Sequence, residues 1–189
     1  MKSIREGKSV LLTAGIFSAL VLAFTAISLL VSSPDDQVGG ARSPSDIPLH
    51  EVELGAAGAL LGVFALGIYG RGGIAVALLL PALVILLDLD HLPVFLGAAQ
   101  PIRPAASLVF LTFDVAMTTI ILRRVDFGLI VMSAFTGHLG VETGLIPPFA
   151  PFSFSYFELN AFSIPLLTIS TILAFTAGFL MRRRQRSAT

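Results

Sequence analysis

Cysteine is absent from the 189 residues of this chain, which excludes disulfides and thiolate metal sites. Charge is scarce: 13% of residues are Asp, Glu, Lys or Arg, and twelve of each sign cancel to a formal net charge of zero. An electrostatic attraction to nucleic acid therefore has no basis, and where each charge sits matters more than the total. No internal repeat divides the sequence. What the chain has is oil. Hydrophobic residues make up 55% of it, against about 45–50% in a soluble domain, and mean hydropathy is +0.90. A soluble core cannot absorb that much apolar surface. A bilayer core about 30 Å thick takes roughly 20 apolar residues per helix, so a chain of this length with short loops supplies about six spans.

The expected fold is all-α, a polytopic transmembrane helix bundle of about six spans forming one domain. Val10 to Val31 is almost unbroken apolar sequence preceded by Lys2, Arg5 and Lys8, and reads as a signal anchor. A cleaved signal peptide is the competing reading, but its apolar region of about 7–15 residues is shorter than this stretch. Ser32 to Glu53 is a polar connection rich in Pro, Asp, Ser and Gly. The second span, 54–69, is rich in small residues that let helices approach closely in lipid, and the turn Gly70-Arg71-Gly72-Gly73 separates it from the third, at about 74–90. A loop with Pro93, Pro101 and Pro104 leads to the fourth span, 105–122, closed by Arg123 and Arg124, and the fifth covers about 127–143. Pro147, Pro148 and Pro151 with the aromatics between Phe149 and Phe157 suit a loop at the membrane interface. The sixth span, 161–181, runs into Arg182, Arg183, Arg184 and Arg186. Residues 1–9 and 182–189 are then a cytoplasmic N-terminus and a basic cytoplasmic tail.

Orientation follows from Lys and Arg, which are in excess at cytoplasmic ends. With the N-terminus inside, Lys2, Arg5, Lys8, Arg71, Arg123, Arg124, Arg182, Arg183, Arg184 and Arg186 all fall inside, and only Arg42 and Arg103 outside. Both termini are therefore expected in the cytoplasm and the chain in the cell membrane.

Ionisable groups in membrane spans cost at least a few kcal/mol each, so they need partners or a task. Here they gather on the outer side. His50 precedes the second span, Asp88, Asp90 and His91 end the third, and His138 and Glu142 lie in the outer half of the fifth, which accounts for all three histidines. His138 and Glu142 are four apart and Asp88 and His91 three apart, so each pair shares a helix face with Cβ atoms about 5–6 Å apart. Imidazole with carboxylate suits Zn, Mn or Fe, and the metal-ligand candidates are His50, Asp88, Asp90, His91, His138 and Glu142. The plain alternative is that these groups cap helix ends or hydrogen-bond one another. Arg103, just before Pro104, is placed to clamp a phosphate or carboxylate or, equally, to snorkel to headgroups. Asp114, mid-way along the fourth span, must face protein or trapped water. Its readings are a partner for His138, a proton relay, or a protonated acid bonded to Thr118 or Thr136.

The order of these elements resembles the membrane-bound, metal-dependent hydrolase family called YdjM-like. The residues that carry the resemblance are His50 before Gly55, Leu87-Asp88-Leu89-Asp90-His91-Leu92-Pro93, Arg103 with Ser107 ahead of an apolar run, Gly137-His138-Leu139-Gly140-Val141-Glu142, and Pro148-Phe149-Ala150-Pro151-Phe152-Ser153. Similarity covers roughly residues 48–155, and the first span looks like an addition. Leu87 stands where the family has Pro, Glu142 replaces Asp, and Ile102 and Ala106 stand near the places of two expected histidines. The resemblance implies a divergent member with a reduced site, or an inactive one.

The leading expectation is a divalent-metal hydrolase, with Zn or Mn as the ion, whose site opens at the outer leaflet onto a phosphoester of a lipid or envelope metabolite. Asp90, His138 and Glu142 are its candidate catalytic residues and Arg103 its substrate anchor. The expected partners are membrane lipids and a lipid or phosphorylated small-molecule substrate. A non-catalytic accessory subunit with a membrane-protein partner, or a small transporter, is the alternative. Ion translocation through Asp114 ranks last, because its inner half offers only Thr118, Thr119 and Ser133 as a polar track.

Overall fold

The computed structural model describes residues 2–31, 47–92, 103–141 and 145–187. Helix α1 covers Lys2–Val31, so the helix starts well before the apolar run. α2 (Ile47–Leu61) begins inside what the sequence assigns to the polar loop. Pro48 explains this locally, because proline in a first turn forfeits no helical hydrogen bond and presets φ. α2 continues as a π-helical segment, Gly62–Tyr69.

α3 (Gly73–Leu86) carries Pro81 in its interior and tightens into a 3-10 turn at Leu87–His91. Pro81 cannot donate to the Ala77 carbonyl. Gly62 packs against that same carbonyl so closely that a Cβ there would lie 2.2 Å from the oxygen. Only glycine allows this approach of α3 and the π segment.

A second 3-10 turn, Pro104–Ala106, precedes α4 (Leu108–Leu122). Ser107 caps α4, its hydroxyl accepting from the Phe110 amide at 3.1 Å. Arg123, at φ 53°, ends the helix in a left-handed conformation and turns the chain directly into α5 (Val125–Val141). Two two-residue strands, β1 (Leu145–Ile146) and β2 (Phe157–Glu158), pair antiparallel across the proline-rich loop. Pro147, Pro148 and Pro151 deny that loop a helix, and Phe152 at its tip is 83% exposed. α6 (Ser163–Arg186) closes the chain, with its arginines inside the last turns, where cations suit the helix dipole.

Helix α5 is the centre of the bundle. Most of it is buried, from Phe127 and Ile130 through Ala134 and Phe135 to Leu139, while Val125 is exposed and Leu129 and Met132 are half-buried. α6, α4 and α3 pack around it, α2 and the π segment lie against α3 and α6, and α1 covers α3, α4 and both 3-10 turns. Phe110 is the aromatic hub, edge-on to Phe17 and Phe24 of α1 and stacked with Phe135 of α5. α5 and α6 are stitched by two reciprocal bonds: the Ser133 hydroxyl donates to the Ser170 carbonyl and the Ser170 hydroxyl to the Ser133 carbonyl, both at 2.8 Å.

The outside is apolar too, with Leu11, Leu30, Ile74, Ile120 and Ile164 among the exposed side chains. Among the described residues, three helical stretches are long and apolar enough to cross a membrane: Glu6–Val31, Gly73–His91 and Ser163–Arg186. Leu54–Tyr69, Leu108–Leu122 and Val125–Val141 are shorter apolar helices.

Candidate metal centre

The site begins with the change of helix type at the end of α3. A 3-10 helix has about three residues per turn, so side chains three apart eclipse one another. In Leu87–His91 this stacks His91 over Asp88, with Nδ1 to Oδ1 at 3.3 Å, and leaves Asp90 beside them, its Oδ1 3.0 Å from the same nitrogen. One carboxylate oxygen from each acid and one imidazole nitrogen thus lie within 4.8 Å of one another.

Two further side chains arrive from other elements. Arg103, at the entry to the Pro104–Ala106 turn, places one guanidinium nitrogen 3.2 Å from Asp88 Oδ1 and 3.3 Å from His138 Nε2. The guanidinium is turned into the protein and only 12% exposed, an inward position rather than a snorkelling one. His138, fully buried on α5, has Nδ1 3.1 Å from the Val84 carbonyl and Nε2 3.5 Å from Asp88 Oδ1. A carbonyl only accepts, so Nδ1 carries a proton, and Nε2 is the ring nitrogen that faces Asp88 and Arg103. That is how a ligating histidine is usually held, one nitrogen tied to the backbone and the other presented.

The donor set fits a divalent cation. Asp90 is 1% exposed, and its Oδ1 and the Nδ1 of His91 lie 3.0 Å apart as an ion pair that, among the described residues, makes no aligned hydrogen bond. Separations of 3.0 and 3.3 Å match the polyhedron edges of an ion with bonds of about 2.0–2.2 Å, roughly 3.0 Å in an octahedron and 3.4 Å in a tetrahedron. Asp88 and Asp90 meet their described partners here in Arg103, His91 and His138.

Five of the sequence candidates therefore converge: Asp88, Asp90, His91, Arg103 and His138. Glu142 and the His50 side chain lie outside the described residues; the His50 backbone is in the first turn of α2. Asp114 belongs elsewhere. It is fully buried in α4, and its hydrogen bond comes from Thr118 at 3.3 Å, while Thr136 bonds back to the Met132 and Ser133 carbonyls.

Two contributors escape a reading of sequence. The Val84 carbonyl orients His138, and nothing in the residue type Val announces it. Asp126, 1% exposed, pairs with Arg124 and Arg184 at the opposite end of the bundle. An acid in the first turn of a helix directly after Arg-Arg was the available signal. Comparison of the chain with protein-family models, with curated proteins and with solved structures gives no match.

Proposed function

We propose that this chain is a six-span membrane protein of the cell membrane, both termini cytoplasmic, whose outward end holds a divalent metal ion and hydrolyses a phosphoester. The single observation that carries the reading is the convergence of Asp88, Asp90 and His91 with His138, brought by another helix, within ion-pair distance of one another. The membrane assignment draws on the apolar outer surface and on Arg71, Arg124 and Arg184 meeting at the bundle end away from the histidines. There Gln185 donates to the Arg71 carbonyl and Arg184 approaches Asp126.

In this reading Asp88, Asp90, His91 and His138 hold the ion, with His50 and Glu142 as further candidates. A divalent ion held by these residues would supply Lewis-acid chemistry for phosphoester hydrolysis. Arg103, pairing with Asp88 in its absence, supplies a fork of donors for the phosphate oxygens. Asp90 and Glu142 are the candidate bases for the attacking water. Membership of the YdjM-like family, as a divergent branch, is part of the same proposal and rests on the Asp-x-Asp-His and His-x-x-x-acid elements.

The test is metal content. Detergent-purified protein is expected to bind Zn or Mn stoichiometrically, and Asp88→Ala with His138→Ala to abolish it. A well-folded preparation that takes up neither ion sinks the reading.

A second reading, a non-catalytic subunit, is favoured by one observation: Arg103 already bridges Asp88 and His138 as a cation. It predicts a stoichiometric membrane partner and unimpaired function in that same double variant.

A further inference from the structure

A crevice of about 510 Å³ lies between α2, α3, α5 and α6, within the range of about 300–1,000 Å³ typical of small-molecule sites. Its walls are apolar, with Leu61, Phe64, Leu80, Val84, Val141 and Phe175 contributing. The hydroxyls that reach it are already satisfied. Ser133 and Ser170 bond each other's carbonyls, and Thr171 donates to the Leu167 carbonyl at 2.9 Å. Nothing in the lining therefore asks for a polar guest.

Its position is as telling as its chemistry. Leu80 and Val84 form its floor on α3, and Asp88 is the next residue of that four-residue spacing. Val84 also supplies the carbonyl that holds His138, while Gly137 and Val141, on either side of His138 in the sequence, line the crevice. The crevice thus runs from the foot of the candidate metal centre toward Phe64 and Phe175. It opens sideways between exposed residues of α2, the π segment and α6, Leu60 and Phe64 on one side and Thr171 and Phe175 on the other.

We propose that this crevice seats one hydrocarbon chain of a lipid whose phosphorylated headgroup lies at Asp88, Asp90, His91 and Arg103. The headgroup placement rests on the hydrolase reading; the chain placement does not. The lateral opening joins the crevice to the apolar outer surface, so a chain enters from the bilayer without crossing water. The substrate class is then a single- or double-chain phospholipid or a long-chain alkyl or prenyl phosphate, and not a free sugar or nucleoside phosphate.

The chain is tested on the full-length protein in detergent, with chelator present and monopalmitoylglycerol as probe, by native mass spectrometry. Wild type is expected to retain one probe molecule. Ala57→Trp and Thr171→Trp, at exposed positions of the crevice wall, are expected to weaken retention by about tenfold or more, and Ile172→Trp, beside Tyr69 and Phe179, to leave it unchanged. Equal retention by all four proteins overturns the proposal. So does a wild type that retains monobutyrylglycerol as well as the long-chain probe, a comparison that needs no variant to fold.

Hexadecyl phosphate with Zn²⁺ then reads the headgroup, with retention about tenfold tighter than for the glycerol probe and the gain lost in Asp90→Asn. A chain that binds without that gain overturns the headgroup placement, and the hydrolase reading with it, while crevice occupancy stands. Butyl phosphate gaining as much as hexadecyl phosphate overturns the crevice and leaves the metal centre standing.

Discussion

The two ends of this bundle each bury carboxylates near arginine, and they solve the problem in opposite ways. At the arginine-rich end, one acid meets two cations. Asp126 accepts from both the Nε and a terminal nitrogen of Arg124, Arg184 of α6 approaches to 3.5 Å, and Arg124 lies over the Phe127 ring at 4.4 Å. Both carboxylate oxygens have partners. At the histidine end, two acids share one guanidinium and two imidazoles, and His91 Nδ1 lies 3.0 Å from Asp90 Oδ1. A saturated ion pair tethers helices. The histidine end leaves two buried polar atoms without an aligned hydrogen bond among the described residues, and the proposed metal centre draws on that contrast.

The contrast breaks first on metal. Zn²⁺ is expected to raise the thermal stability of the wild type, and Asp90→Asn to weaken Zn²⁺ affinity by about 100-fold, or about 2.7 kcal/mol. Isothermal titration reads the affinity directly; an Asp90→Asn protein that binds Zn²⁺ as tightly as wild type erases the difference between the ends.

Next in size, Asp126→Ala is expected to cost about 2 kcal/mol in denaturant unfolding. This is below the roughly 3–5 kcal/mol of a fully buried pair, because Arg124 retains some access to water. Its Zn²⁺ affinity should be that of wild type, and a joint loss of both would mean that the two ends are one cooperative unit.

Ser107→Ala removes the cap of α4 beside Arg103 and is expected to cost about 1 kcal/mol, again with Zn²⁺ affinity intact. Smallest of all, Arg184→Ala should cost less than about 0.5 kcal/mol, since that side chain is 53% exposed. A larger effect would make Arg184, rather than Arg124, the main partner of Asp126.

Much of the fold was legible because periodic chemistry was not needed to see it. Apolar runs and the turns that interrupt them locate the helices, and Arg123-Arg124 and the glycines at 70–73 mark tight reversals that the structure contains. The start of α2 was less legible, since Ser, Asp and Pro around it read as loop while Pro48 is at home in a first turn. Within the site, the spacing of Asp88 and His91 was visible as a shared face. The 3-10 winding that brings their polar atoms to 3.3 Å was not, because helix type depends on what lies beneath the turn. Arg103 offered two readings in sequence, outward to headgroups or inward to an anion. Packing turned it inward onto Asp88.

By itself, then, the sequence determined that this chain is helical and apolar, and that its arginines other than Arg42 and Arg103 sort to the helix ends away from the histidines. Those properties depend on composition and local order. Only the tertiary structure decided that His138 meets Asp88 across fifty residues of chain, with the Val84 carbonyl setting which ring nitrogen faces the acid. It also decided that Asp114 turns to Thr118 instead. The physical reason is rotation: a helix displays its residues around a full circle, and which face turns inward is settled by the neighbours it packs against.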